Sequence, residues 1–243
     1  VRPKNLEEYF GQEELMGNNS VLKTLIKENR VPSMILWGPP GVGKTCLARI
    51  ISHQYNTFFR EISGTIHSLS DLKKAAEECA SQLKLSGKKA ILFIDEIHRF
   101  NRLQQDSLLS WVERGAFTLI GATTENPSFK LNSALLSRCR VFQLKKLSKE
   151  AILSIIKRAA KIKLELYDKI FKVKNDNEST SIKNKEVLEL IAIMSDGDAR
   201  NSLNILDMAI DLVLSNDSNK EITKDMIKMS FQKTHLLYDK NGE

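Results

Sequence analysis

Residues 34–45 read MILWGPPGVGKT, an apolar run that passes directly into a glycine-rich loop ending in Lys44 and Thr45. The apolar run predicts a buried strand, and the residues from Lys44 onward predict a helix. The loop matches the pattern G-x-x-x-x-G-K-[ST], in which glycines allow backbone angles that point successive N–H groups at phosphate oxygens. The alternative is a turn that merely joins strand and helix, but this strand–loop–helix context favours a phosphate site.

This loop supplies most of the predicted nucleotide contacts. Lys44 is expected to reach the β- and γ-phosphates and Thr45 to bind Mg²⁺, while the start of the helix adds its positive end. Cys46 follows directly, and it is either a reactive thiol or a small buried side chain. The residues predicted to bind nucleotide in this segment are Gly38, Pro39, Pro40, Gly41, Val42, Gly43, Lys44, Thr45 and Cys46.

Two neighbouring carboxylates, Asp95 and Glu96, follow the continuous apolar run Ala90–Ile94. In open α/β sheets, ligands bind at the carboxyl ends of the strands. Adjacent carboxylates are costly without a cation, so the pair favours a metal-bound nucleotide over an ordinary polar strand end. Asp95 is expected to hold Mg²⁺ through its coordinated water, and Glu96 to orient and polarise the attacking water.

A further polar segment follows the predicted strand Thr118–Ala122. A side chain here could sense the γ-phosphate from the neighbouring strand. Thr123 is the first candidate, with Thr124 and Asn126 behind it. A simple turn rich in Thr and Asn is the alternative for each of them.

Two arginines occupy positions from which a charge could reach a phosphate. Arg138 closes the short predicted helix Ala134–Arg138, and an arginine at a subunit edge can reach the γ-phosphate bound by a neighbour. Arg200 stands at the start of another predicted helix. From the sequence alone, each is equally well explained as an ordinary surface arginine.

Strand and helix patterns alternate from residue 34 to about residue 144, which predicts a parallel sheet covered by helices on both faces. Ser70 is expected to cap a helix over Asp71–Leu85. The predicted strands are Met34–Trp37, Phe58–Ile62, Ala90–Ile94, Thr118–Ala122 and Val141–Leu144.

Beyond Ser148 only helical patterns occur, so we expect an α/β domain over residues 1–147 and an all-helical domain over residues 148–243. The segment Lys172–Asn184 is rich in Lys, Asn and Ser and is expected to be a surface loop. The predicted helices of this second domain are Ala151–Leu166, Lys185–Met194, Ala199–Leu214 and Thr223–Ser230.

Composition is that of an ordinary soluble globular protein, with 42% hydrophobic and 28% charged residues. No apolar run approaches the ~20 residues of a membrane helix, and the three cysteines lack metal-ligand spacing, so we expect neither a membrane partner nor a zinc site. The net charge is +7, and residues 145–185 hold 12 Lys/Arg against 5 Asp/Glu. This cluster is interpreted either as a DNA-contacting face or as solvated helix surface, and Arg99 and Arg102 are further candidates for phosphate contacts.

Five segments together resemble the RarA/MgsA family of AAA+ ATPases, which includes the Werner helicase-interacting protein of eukaryotes. They are Gly38–Thr45, Asp95–Asn101, Gly121–Phe129, Leu136–Val141 and Ser195–Arg200. The resemblance implies a clamp-loader-like core with a five-stranded parallel sheet and a helical lid, binding ATP and Mg²⁺. It also implies that Arg138 is an arginine finger, that Arg200 is the lid sensor, and that Arg2 and Pro3 line the adenine pocket.

The function implied by this resemblance is a DNA-stimulated ATPase that maintains replication forks and tolerates DNA damage. Its expected partners are single-stranded, forked or end-containing DNA, replication and repair proteins, and further copies of itself. The chain does not begin with Met, so we expect a fragment, with the family's C-terminal oligomerisation region lying outside it. Alternatives are a branch-migration or clamp-loader motor and an ATP-regulated, non-catalytic adaptor. The loop at 172–184 favours a nuclear protein, and a bacterial source would make it cytoplasmic.

Overall fold

The computed structural model describes residues 2–18, 20–164, 178–214 and 222–240. Five strands, all parallel, form one sheet in the order β2-β3-β4-β1-β5, which confirms the predicted fold class. Each strand lies within one residue of its predicted bounds. The strands are Met34–Trp37 (β1), Phe59–Ser63 (β2), Ile91–Asp95 (β3), Thr118–Thr123 (β4) and Arg140–Gln143 (β5).

The central strands are apolar throughout because both faces of the sheet are covered. In β3, Ile91 and Phe93 pack into one hydrophobic cluster, whereas Leu92 and Ile94 pack into a second cluster on the opposite face. Alternate side chains of a strand point to opposite faces, so a strand buried on both sides has no polar position along its length.

Helices of the sheet unit are divided between these two faces. Helices α2 and α3 contribute to the first cluster, and α4, α5 and α7 contribute to the second. The helices of this unit are Glu13–Met16 (α1), Val21–Lys27 (α2), Lys44–Tyr55 (α3), Leu69–Ser86 (α4), Arg102–Glu113 (α5), Pro127–Lys130 (α6) and Ser133–Leu136 (α7), with a 3-10 turn over Ile97–Arg99.

The start of α4 differs from its prediction. The capping residue is Ser68 rather than Ser70, because Ser68 accepts a hydrogen bond from the N–H of Asp71 while the Asp71 carboxylate accepts one from the N–H of Ser68. This reciprocal pair satisfies two backbone donors at once, which a cap at Ser70 would not do here.

The chain divides into two compact units, one of residues 2–145 and one from residue 146 onward. The described part of the second unit is helical. Its buried residues recur at helical spacing, as in Ile152, Ile156 and Ala159. The helices are Lys149–Leu164 (α8), Glu178–Met194 (α9), Ala199–Leu214 (α10) and Lys224–Lys240 (α11).

The predicted surface loop Lys172–Asn184 is wrong over residues 178–184, which belong to α9, and residues 172–177 lie outside the described residues. The helix therefore begins seven residues before the predicted Lys185. The first two turns of this helix consist mostly of polar residues. Hydrophobic periodicity cannot locate the start of a helix there, because it depends on regularly spaced apolar residues.

Candidate nucleotide-binding site

The glycine-rich loop follows β1, the strand that lies between β4 and β5 in the sheet. Trp37 at the end of β1 pairs with Thr123 at the end of β4, and Gly38 N donates a hydrogen bond of 3.1 Å to Thr123 O. Neither neighbour of β1 in the sheet, β4 or β5, is next to it in the sequence. The loop that follows β1 therefore lies where the order of the strands reverses. Ligands of open α/β sheets bind in that crevice.

Two glycines of the loop are required by what surrounds them. A Cβ at Gly38 would lie 2.3 Å from the carbonyl oxygen of Leu144, so no larger residue fits there. Gly43 has a φ of +100°, and a Cβ on it would lie 3.0 Å from the ring of Tyr9. The loop is therefore held in its curved form by backbone geometry and by close neighbours.

Lys44 lies inside the loop and is buried. Its Nζ donates hydrogen bonds to the carbonyl oxygens of Gly38 at 2.6 Å and Pro39 at 2.7 Å. Lys44 is also the first residue of α3, and Gly43 before it has no side chain to cap the helix. The first-turn N–H groups of α3 and the ammonium group thus bring positive charge to one place, as an anion site requires.

Asp95 and Glu96 end β3 at the same edge of the sheet, where Ile94 pairs with Gly121 of β4. Glu96 adopts a left-handed backbone, with a φ of +49°, and its N–H donates to Asp95 Oδ1 at 3.2 Å. The left-handed residue ends the extended conformation of β3 directly after Asp95.

The described residues contain no group of three or more His, Cys, Asp or Glu side chains able to hold a metal ion. A Mg²⁺ ion at this site would therefore take most of its ligands from phosphate oxygens and water, as Mg²⁺ bound with a nucleotide does. Thr45 and Asp95 fit such a role, because neither the Thr45 hydroxyl nor Asp95 Oδ2 has a hydrogen bond within the described ranges.

The predicted γ-phosphate sensor is not the best-placed threonine. Thr123 is fully buried, and its hydroxyl donates to the carbonyl oxygen of Glu125 at 3.1 Å and accepts from its N–H at 3.0 Å. Thr124 is only partly buried, and its hydroxyl donates to Glu96 Oε2 at 3.3 Å. Asn126 instead caps α6 by accepting from the N–H of Ser128.

Arg138 and Arg200 lie in different units of the chain. Arg138 follows α7, which ends at Leu136, so the predicted helix Ala134–Arg138 is wrong at its end. Its guanidinium contacts Glu113 Oε1 at 2.5 Å and donates to the carbonyl oxygen of Ala134 at 2.7 Å. Arg200 is the exposed second residue of α10, and it makes no ion pair within the described ranges.

The N-terminal segment reaches the phosphate loop through Tyr9 rather than through Arg2 or Pro3. The Tyr9 hydroxyl lies 3.4 Å from the carbonyl oxygen of Gly43, and burial, followed by the nearby Cys46, raises the pKa of this phenol. Arg2 is exposed, and neither Arg2 nor Pro3 has a described hydrogen bond. Cys46 is partly buried against the first hydrophobic cluster.

The candidate DNA-contacting cations differ in their surroundings. In the described part of the cluster 145–185, Lys145 pairs with Glu14 at 2.5 Å, Lys146 pairs with Asp196, and Lys149 lies 3.6 Å from Glu189. Arg99 and Arg102 are exposed and form no ion pair with a described residue. Arg99 and Arg102 are thus free to meet a phosphate backbone, as are the exposed Lys157 and Lys161 of the cluster, which form no ion pair with a described residue either.

Comparison with known proteins gives one consistent family. A model described as the Holliday junction DNA helicase RuvB P-loop domain matches residues 1–116, and one described as AAA C-terminal domain matches residues 177–243. ATPase WRNIP1 of Dictyostelium discoideum is 40% identical over all of this chain and 28% of that protein. Replication-associated recombination protein A of Escherichia coli K12 is 43% identical over 92% of this chain and 48% of that protein.

The chain belongs to the RarA/MgsA family of AAA+ ATPases. The resemblance predicted from the five motifs is thereby confirmed. The loop and the sheet of this chain are those of the AAA+ P-loop fold class. The chain spans about half the length, or less, of the curated relatives it matches, which is 28% to 52% for the first three.

The RarA-family chain also has close structural neighbours. The RuvB Holliday junction branch migration motor of Thermotoga maritima superposes with a TM-score of 0.73 at 29% identity, over 95% of this chain and 72% of that one. Among the described residues, no helix combines the length and the apolar character needed to cross a membrane.

Proposed function

We propose that this RarA-family chain binds Mg²⁺-ATP and hydrolyses it in order to remodel DNA or replication-protein complexes. The observation that carries the proposal is the meeting of three strand ends, β1, β3 and β4, at one edge of the sheet. At this edge lie the buried Lys44 inside the glycine-rich loop and the carboxylates of Asp95 and Glu96. Thr124 lies at the same edge and donates to Glu96.

Each residue has a separate task in this mechanism. The loop amides and Lys44 bind the phosphates, and Thr45 and Asp95 hold the metal ion directly or through water. A metal ion held there would supply positive charge against the phosphate oxygens. Glu96 orients the attacking water and accepts its proton, and Thr124, rather than the buried Thr123, contacts the γ-phosphate from β4.

Two arginines complete the site in this proposal. Arg200 stabilises the γ-phosphate within its own subunit, and Arg138 reaches the nucleotide of a neighbouring copy, so hydrolysis depends on assembly. A trans-acting arginine is worth about 10³–10⁵ in rate in related NTPases. Arg2 and Pro3 contact the adenine side, at the start of the segment that Tyr9 fixes to the loop.

The proposed DNA partner is single-stranded, forked or end-containing DNA. Support comes from the names of the bacterial relatives, which refer to replication-associated recombination, and from the exposed Arg99 and Arg102. Replication and repair proteins are the proposed protein partners. One relative is from a eukaryote and others are from bacteria, so the nucleus is proposed for a eukaryotic source and the cytoplasm for a bacterial one.

A branch-migration motor is the second candidate, because the RuvB motor has the same fold with a TM-score of 0.73. A clamp-loader-type motor shares the same site and is separated from it only by assembly and DNA preference. A non-catalytic adaptor is disfavoured, because a protein that only binds ATP has no need for a glutamate held ready to activate water.

The test is ATP turnover by the full-length protein with and without forked DNA, at low and high salt. We expect turnover that rises with DNA and a stimulation that weakens with salt, since phosphate contacts release counterions. Glu96→Gln should still bind ATP but not hydrolyse it. Turnover by Glu96→Gln at the wild-type rate would remove the role given to this carboxylate.

A further inference from the structure

A buried histidine lies between the acidic pair and the polar end of β4. His98 belongs to the 3-10 turn that follows Glu96, and only 4% of its side chain is exposed. A buried imidazole needs hydrogen-bond partners for both ring nitrogens. The polar groups near the ring lie at or just after the ends of β3 and β4, and one of them is the carboxylate proposed to activate water.

The hydrogen bonds around Thr123 assign the proton on His98 Nδ1. Nδ1 lies 2.9 Å from Thr123 Oγ1 and 3.2 Å from Glu96 Oε2. The single hydroxyl proton of Thr123 goes to the carbonyl oxygen of Glu125, which can only accept. When this proton points to Glu125, Thr123 Oγ1 accepts from a protonated His98 Nδ1, and in that tautomer the same N–H faces Glu96.

This arrangement distinguishes the two oxygens of Glu96. Oε2 contacts both the N–H of His98 and the hydroxyl of Thr124, at 3.2 Å and 3.3 Å. Oε1 makes no hydrogen bond with any described residue. One oxygen is thus used to hold the side chain, and the other is left to accept a proton from water.

The far side of the imidazole ring is also held. His98 Nε2 lies 3.3 Å from Glu125 Oε1, and Lys130 Nζ lies 2.9 Å from Glu125 Oε2. The hydrogen bond from Lys130 is the main cause that lowers the pKa of Glu125, so this residue is a carboxylate at neutral pH. The Glu125 carboxylate, held from outside by Lys130, thus lies beside the second ring nitrogen of His98.

We propose that His98 is a positioning residue for ATP hydrolysis, which holds Glu96 through its Nδ1–H and joins it to Thr123 at the end of β4. This inference rests on the proposed function, because the residue that His98 holds, Glu96, is the carboxylate proposed to activate water. The alternative is a histidine that only stabilises the fold, and two substitutions at this position separate the roles.

The substitutions are His98→Asn and His98→Leu, compared in the full-length protein. The amide of Asn offers an N–H donor close to the position of Nδ1, whereas Leu fills similar space without a donor. We expect His98→Leu to lower kcat about 10–100-fold, as misplacement of a catalytic group does. Affinity for a fluorescent ATP analogue should be nearly unchanged in both variants, and His98→Asn should recover most of the rate.

Gln105→Leu is the matched control, because Gln105 is buried and donates to the carbonyl oxygens of Phe100 and Lys130 without a described contact to Glu96. It should lose stability and keep its rate. Wild-type turnover by His98→Leu, or an equal loss in His98→Asn, would overturn the role of His98. If the wild type hydrolyses no ATP, or Glu96→Gln is fully active, the proposed function fails instead.

Discussion

The ammonium group of Lys44 is hydrogen-bonded to two neutral backbone carbonyl groups. In the proposed mechanism it leaves these acceptors and binds phosphate oxygens instead. The carbonyl groups of Gly38 and Pro39 accept from its ammonium group. A phosphate oxygen carries a full charge and forms a stronger hydrogen bond with an ammonium group than a neutral carbonyl does. The energetic gain on binding therefore comes from replacing neutral acceptors with charged ones.

The first prediction concerns this exchange. Lys44→Ala should weaken binding of a fluorescent ATP analogue about 10–100-fold, because a hydrogen bond to a charged group contributes about 1.5–3 kcal/mol. The exposed Lys84 of α4 provides a control, since Lys84→Ala removes the same charge far from the loop in sequence. Equal affinities of Lys44→Ala and wild type would show that the triphosphate binds elsewhere.

Thiol reactivity gives a second prediction at the residue scale. Burial raises the pKa of Cys79 to about 12, and burial likewise raises the pKa of Cys139 to about 12. Because the thiolate is the reactive form, both residues should resist iodoacetamide at pH 8 until the protein is unfolded. Mass spectrometry of labelled peptides provides the measurement. Cys79 is buried and Cys139 is partly buried. Rapid labelling of either cysteine in the native protein would contradict the raised pKa of its thiol.

At the scale of single elements, the cap of α4 can be tested directly. Ser68→Ala should reduce the free energy of unfolding by about 1 kcal/mol, the usual loss when a capping serine is removed. Ser70→Ala is the matched control, because Ser70 lies two residues further on and does not cap the helix. Urea denaturation measures both, and a larger loss in Ser70→Ala would restore the cap expected from the sequence.

This capping box also has a defined pH dependence. Hydrogen bonds from Ser68 to the Asp71 carboxylate lower its pKa. A carboxylate with a lowered pKa in the folded state stabilises above its unfolded pKa and loses this effect as pH falls through its folded pKa. The difference between wild type and Ser68→Ala should therefore shrink in acid, below the ordinary pKa of an aspartate.

Elements with a strong pattern could be predicted from the sequence, whereas some short helices could not. The strands are continuous apolar runs and were located within one residue. Helices α1 and α6 have four residues each, too few to show a helical period, and neither was predicted. The order of strands in the sheet depends on contacts between distant segments, which periodicity does not report.

In the candidate site too, the residues of local motifs could be predicted, whereas the contacts between distant segments could not. The loop at 38–45 and the pair Asp95 and Glu96 are local motifs, so their positions followed from spacing alone. The preference for Thr124 over Thr123, and the contacts of His98, depend on side chains from β3 and β4 meeting across the sheet. His98 lies in the segment Asp95–Asn101 that carries the family resemblance, but nothing in the sequence indicates that its side chain meets Glu96 and Thr123.

At the scale of the whole molecule, the proposed site is shared between copies. Arg138 contacts Glu113 of its own chain, and its side chain is still 37% exposed, so it remains accessible to a neighbour. Arg138→Ala should leave ATP affinity nearly unchanged and lower turnover, because the arginine stabilises charge only during phosphoryl transfer.

Mixing two impaired variants tests this sharing. Lys44→Ala retains the finger but binds ATP weakly, and Arg138→Ala binds ATP without the finger. Mixed assemblies should regain part of the turnover, because some interfaces then combine an intact Lys44 with an intact Arg138. Full activity of Arg138→Ala, or no recovery in mixtures that demonstrably co-assemble, would remove the trans-acting role.

The most direct test of the ATP site is an experimental structure with Mg²⁺ and a non-hydrolysable ATP analogue. We expect the triphosphate inside residues 38–45, with Lys44 Nζ moved from the carbonyl oxygens of Gly38 and Pro39 to the β- and γ-phosphates. A nucleotide bound elsewhere, with Lys44 still on those two carbonyl groups, would contradict the account.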